Sequence, residues 1–165
     1  MGEILPINTA VRKDDVYAVA TQQIDKLLRH EPDLTANLAN IAAVLHNDFG
    51  FLWVGFYLRR DTDLVLGPFQ GPQACPRIAI APNPANLCGQ AAALGTVAII
   101  GNMSEFPDYV PCHSHARSVI VYPLAINGRS EMILYIEGIA FSAFDDADRM
   151  GLENIMRLIE RYYYR

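Results

Sequence analysis

The chain has 165 residues, a net charge of −5 and a pI near 5.2, with 52% hydrophobic and 19% charged residues. That is long and apolar enough to bury a core, and it excludes disorder over most of the length. The acidic balance, with no Lys/Arg run, excludes a nucleic-acid partner, and no stretch approaches the roughly 18 apolar residues of a membrane-spanning helix.

Asp14 to Arg29 places Val16, Val19, Ala20, Ile24, Leu27 and Leu28 on one helical stripe, with Asp14 and Asp15 in the first turn. Pro32 opens a second predicted helix with the stripe Leu34, Leu38, Ile41, Ala42, Leu45 and Phe49, stopped by Gly50. The period then changes. Phe51–Leu58 and Leu64–Phe69 read as strands joined by a polar turn, and Gln73–Ile80 as an edge strand interrupted by Pro76. Asn86 caps a short helix to Leu94, and Val97–Ile100 is a strand.

Gly101 to His115 is a long polar loop carrying Cys112, of the length that tends to serve function. Ser118–Ile126 and Glu131–Ile139 form a hairpin through Asn127-Gly128, and Asp145 caps a last helix with the stripe Leu152, Ile155, Met156 and Ile159. Direct hairpins predict a largely antiparallel sheet of about six strands, with the N- and C-terminal helices on one face, hence an α+β fold. The reading is one domain over 1–165, with 1–13 a flexible N-terminal segment. No leader pattern opens the chain, and Pro6 stands where N-terminal lipidation needs Ser or Thr, so the expected location is cytoplasmic. An apolar stripe on an end helix would suit a homodimer.

Cys75, Cys88 and Cys112 lie 13 and 24 residues apart. None forms a Cys-x-x-Cys pair, so the common zinc and thioredoxin-type motifs are missing, and no bound metal is expected. Cys112-His113-Ser114-His115 is the nearest approach to a metal-binding cluster, with the wrong spacing for a finger or ribbon. Each cysteine also has the bland reading of a small buried hydrophobe. Their positions at turns and loops favour reactive thiols instead. Cys88 sits in the first turn of a predicted helix and Cys112 beside His113, and both settings lower a thiol pKa.

The runs Trp53-Val-Gly-Phe-Tyr-Leu58, Leu64-Val-Leu-Gly-Pro-Phe-Gln-Gly71, Ala74-Cys-Pro-Arg-Ile78 and Leu87-Cys-Gly-Gln-Ala91 resemble the free methionine-(R)-sulfoxide reductase family. So does Cys112 followed by Ser118-Val-Ile-Val-Tyr-Pro-Leu124. The resemblance implies a GAF domain with helices on one side of the sheet and a small-molecule pocket on the other. It implies that Cys112 attacks the sulfoxide, that Cys88 resolves the sulfenic acid as a disulfide, and that Cys75 is an auxiliary thiol. Thioredoxin would be the external reductant, with no bound cofactor, and Trp53 and Tyr57 would form an aromatic wall.

The chain departs from the family at its substrate-holding acids: Val119, Tyr135 and Glu137 occupy those places, so Glu137 alone remains a carboxylate. Glu137 reads equally as a partner for a substrate ammonium or as an outward strand residue. The other functional reading is a GAF domain that has lost the reaction and binds a small ligand or senses thiol redox state.

Overall fold

Period-3.6 and period-2 patterns sort the chain into helices α1 (Lys13–His30), α2 (Leu34–Phe49), α3 (Leu87–Leu94) and α4 (Asp146–Tyr163) and strands β1 to β6. The strands are β1 (Trp53–Arg60), β2 (Asp63–Gln70), β3 (Arg77–Ala79), β4 (Ala98–Ile100), β5 (Ser118–Ile126) and β6 (Arg129–Gly138). The structure is a computed structural model describing residues 11–82, 86–106 and 115–164. The strands form one antiparallel sheet in the order β3-β2-β1-β6-β5-β4, the α+β architecture expected from the sequence.

Both faces of the central strands are buried. Val54, Phe56, Ile120, Met132, Leu134 and Ile136 face α1, α2 and α4. The alternate residues Trp53, Tyr57, Val119, Val121, Ile133 and Tyr135 face α3. Each large side chain fully buried here contributes about 1.5–3 kcal/mol of transfer free energy. The β5–β6 hairpin turns through Asn127 and Gly128, both with positive φ (52° and 77°), as the Asn-Gly pair predicts.

Two element starts differ from expectation. Pro32 precedes α2 instead of opening it, because Asp33 takes the cap position and accepts from the Ala36 N–H at 2.8 Å. Lys13, assigned to the flexible segment, is the first residue of α1. Its Nζ donates to the Ala143 carbonyl at 2.9 Å and to Asp148 at 2.7 Å. Among the described residues no helix is long and apolar enough to cross a membrane.

Asp148 ties the terminal helices together. Its fully buried carboxylate also accepts from Tyr17 Oη at 2.7 Å and from the Asp145 N–H at 2.9 Å, closing a capping box on α4. Gly151, one turn later, leaves the space that the Tyr17 ring fills, where any Cβ would collide with it. Asp148→Ala leaves the buried Tyr17 hydroxyl without its acceptor and Lys13 with Asp145 as its remaining carboxylate, and the expected loss is about 2–3 kcal/mol in urea unfolding. Tyr17→Phe keeps the packing and should cost only about 1–2 kcal/mol.

Candidate active site

The pleat of β6 sends Ile133, Tyr135 and Glu137 to the α3 face. Strand register then fixes their neighbours. Glu137 lies opposite Trp53 of β1 and Val119 of β5, so three of the predicted site residues form one row across the sheet. Tyr135 is two residues along, opposite Gly55 and Val121.

Glu137 is therefore not an outward strand residue. Its side chain is buried, and Tyr135 Oη donates to its Oε1 at 2.8 Å. Burial among apolar neighbours pushes its pKa up to about 7, against the opposing effect of the Tyr135 hydrogen bond.

Trp53 and Tyr57 do form an aromatic wall, with ring centroids 6.2 Å apart. Two further rings complete it: Phe69 stacks on Trp53 at 5.2 Å, and Tyr135 meets Trp53 edge-on at 5.7 Å. Phe69 carried no signal as a site residue, because its contact depends on the register between β1 and β2. Gly55 is what lets the indole lie down, since a Cβ there would run into both Trp53 and Phe69.

The polar ends of the wall grip the segment after β2. Trp53 Nε1 donates to the Pro72 carbonyl and Tyr57 Oη to the Cys75 carbonyl, each at 2.9 Å. These two bonds hold the Cys75 backbone beside the aromatic face.

The thiols are arranged differently from the roles that the resemblance implied. Cys75, expected to be auxiliary, is in a disulfide bond, whereas Cys88, expected to resolve, is a free and buried thiol. The first turn of α3 also fails to activate Cys88: burial, and then the negative charge of Glu137, raise its pKa. Cys112 and His113 lie outside the described residues, and His115 is exposed.

A six-stranded antiparallel sheet with the terminal helices on one side and α3 on the other is the fold of a GAF domain. No family model matches the chain. It is 37% identical over 161 residues to GAF domain-containing protein A of Dictyostelium discoideum, covering 97% of this chain and 99% of that one. It is 34% identical over 152 residues to the free methionine-R-sulfoxide reductase of Escherichia coli, covering 92% and 90%. Among solved structures, the free methionine-R-sulfoxide reductase of Neisseria meningitidis in complex with its substrate superposes with a TM-score of 0.87. It is 39% identical, over 94% of this chain and 93% of that chain. The chain thus belongs to the free methionine-R-sulfoxide reductase family, a family of oxidoreductases.

Two outcomes follow from the burial of these groups. Cys88 should resist iodoacetamide in the native, reduced protein and react fully once it is unfolded, as peptide mass spectrometry would read. Glu137 holds a proton in the folded state that an unfolded carboxyl, with its ordinary pKa of 4.5, has released. Its stabilising contribution is therefore complete below about pH 4.5 and is lost as pH rises through about 7. In Glu137→Gln that part of the pH dependence disappears, and at pH 8 the variant should melt above the wild type in calorimetry.

Proposed function

We propose that the protein reduces free L-methionine-(R)-sulfoxide, with Cys112 as nucleophile, Cys75 as the resolving thiol and a thioredoxin-type dithiol protein as reductant. The observation that carries the reading is the division of the thiols: Cys75 is oxidised to a disulfide beside the aromatic wall, while Cys88 is buried, free and poorly ionised. The chain has three cysteines, so Cys112 is the remaining candidate to attack. The substrate-bound Neisseria reductase, similar over nearly the whole chain, supports the choice of substrate.

The chemistry balances in three steps. The Cys112 thiolate attacks the sulfoxide sulfur, the oxygen takes up one proton, and it passes to the cysteine sulfur as the bond between the two sulfurs breaks. Methionine leaves, reduced by two electrons, and Cys112 is left as a sulfenic acid. The Cys75 thiol then displaces that oxygen as water, forming the disulfide. An external dithiol reduces it by exchange and carries the disulfide away. Trp53, Tyr57 and Phe69 would receive the apolar side chain and Glu137 the ammonium. Such a cycle needs a reducing compartment, which fits a cytoplasmic location.

The test is NADPH consumption with thioredoxin, thioredoxin reductase and free methionine-(R)-sulfoxide. Cys112→Ser should fall to background. Cys75→Ser should release about one methionine per chain and then stop, whereas Cys88→Ala should keep turnover within a few-fold. No turnover of the wild type above Cys112→Ser would sink the enzyme reading and leave a ligand-binding GAF domain, the alternative that Val119 and Tyr135 favour. Loss of cycling in Cys88→Ala with cycling retained in Cys75→Ser would reverse the two roles.

A further inference from the structure

The chain leaves β2 through Gly71, whose φ of 130° only glycine adopts without strain. A Cβ at Gly71 would meet the Trp53 indole at 2.6 Å, so the path toward Cys75 is moulded on the aromatic wall from its first residue. Hydrogen bonds then fix residues 72–76. Trp53 Nε1 donates to the Pro72 carbonyl and Tyr57 Oη to the Cys75 carbonyl, each at 2.9 Å. The Leu66 N–H donates to the Pro76 carbonyl at 3.0 Å, and Pro76 restricts Cys75 itself to extended backbone. Of these bonds, the one from Tyr57 grips the peptide unit of the oxidised cysteine. The Tyr57 ring is buried and placed by its stacking on Trp53, where a phenylalanine ring would sit equally well. What the hydroxyl adds is hydrogen bonding.

We infer that Tyr57 is a positioning residue for the resolving step: its hydroxyl holds the Cys75 backbone so that the sulfur closes on the oxidised thiol of Cys112. The inference rests on the proposed thiol roles and goes beyond them in assigning what sets the rate of closure. In that step the Cys75 sulfur attacks the Cys112 sulfur. The S–S bond forms as the S–O bond breaks, and the hydroxyl leaves as water with the Cys75 proton. A sulfur on a fixed backbone spends more of its time in reach, which raises its effective concentration. The same fixation favours the closed disulfide over the open dithiol in a reversible exchange, because less conformational freedom is lost on closing. One hydrogen bond of ordinary strength corresponds to about fivefold in either quantity.

The experiment compares Tyr57→Phe, which keeps the ring, with Phe69→Leu, which loosens the wall but leaves both carbonyl bonds in place. Equilibration in glutathione redox buffers, followed by alkylation and mass spectrometry, reads the Cys75–Cys112 disulfide without any sulfoxide present. Glutathione opens the disulfide and leaves as glutathione disulfide, so the equilibrium constant follows from the closed fraction. Tyr57→Phe should lower that constant about fivefold, and Phe69→Leu should stay within about twofold of wild type. In a single turnover with free methionine-(R)-sulfoxide, the Cys112 sulfenic acid of Tyr57→Phe should live about fivefold longer, as dimedone trapping reads. Methionine release should slow by less than closure does.

An unmoved glutathione equilibrium would mean that the hydroxyl does not place Cys75, and equal shifts in both variants would mean that loosening the wall is enough. Either result overturns the inference. Methionine release slowed as much as closure also overturns it, because Tyr57 would then act on the substrate. A wild type that turns over no sulfoxide, with the shift in glutathione present, overturns the reductase reading and supports this one. A wild type that forms no Cys75–Cys112 disulfide overturns both.

Discussion

The register of β6 between β1 and β5 is the constraint on which the site depends. Side chains alternate faces with a period of two, so a slip of one residue would carry Glu137 and Tyr135 into the packing of α1, α2 and α4. It would bring Ile136 and Leu134 to the α3 face instead. The Trp53–Glu137–Val119 row exists only in the observed register. Several features pin that register from both ends. The Asn127-Gly128 turn sets the β5–β6 pairing, and Leu52 N–H donates to the Glu137 carbonyl at 2.9 Å where β1 begins. The helices then hold it from behind. Met132, Leu134 and Ile136 are all fully buried against them, and each would lose its burial in a slipped pairing.

Burial also decides which thiol can take part in redox chemistry. The helix N-terminus that would activate Cys88 contributes about 0.3–1 kcal/mol, less than one pKa unit. Full burial of an ionisable group moves its pKa by up to about 3–5 units in the opposite direction. Cys88 is 5% exposed and near a second acid, so the larger effect wins. Cys75 is on an irregular segment at the rim, half-buried, with its carbonyl tethered by Tyr57. The tethered backbone keeps the Cys75 disulfide beside the aromatic face.

Much of the fold was legible because its signals are local. Apolar stripes located α1, α2 and α4, and the side chains of Asn86 and Asp145 cap helices where their sequence positions indicate. The Asn127-Gly128 pair gave the hairpin. The site was less legible because its signals are not local. Residues 132 to 137 of β6 are all buried, so neither face reads as the wet one, and the sequence alone left Glu137 between two readings. Phe69 joins the wall through a cross-strand contact that no spacing reveals. The expected edge strand from Gln73 shrinks to Arg77–Ala79 because Trp53 and Tyr57 capture the preceding carbonyls. The thiol state of Cys88 depends on what packs over α3, which a first-turn position does not disclose.

Val119 and Tyr135, which by the resemblance stand where the family carries acids, change the electrostatics of the face rather than simply weakening it. Several carboxylates buried side by side repel one another, and that repulsion is relieved only when a cation arrives or a proton stays bound. Here one carboxyl remains, flanked by an indole and an isopropyl group and steadied by a phenol that carries no charge. An ionised carboxylate so placed lacks solvent, and the protein answers by raising its pKa to about 7. The valine removes a repulsion and the tyrosine substitutes a directed donor for a second negative charge. Together they leave one buried carboxyl on this face, which exchanges its proton near neutral pH.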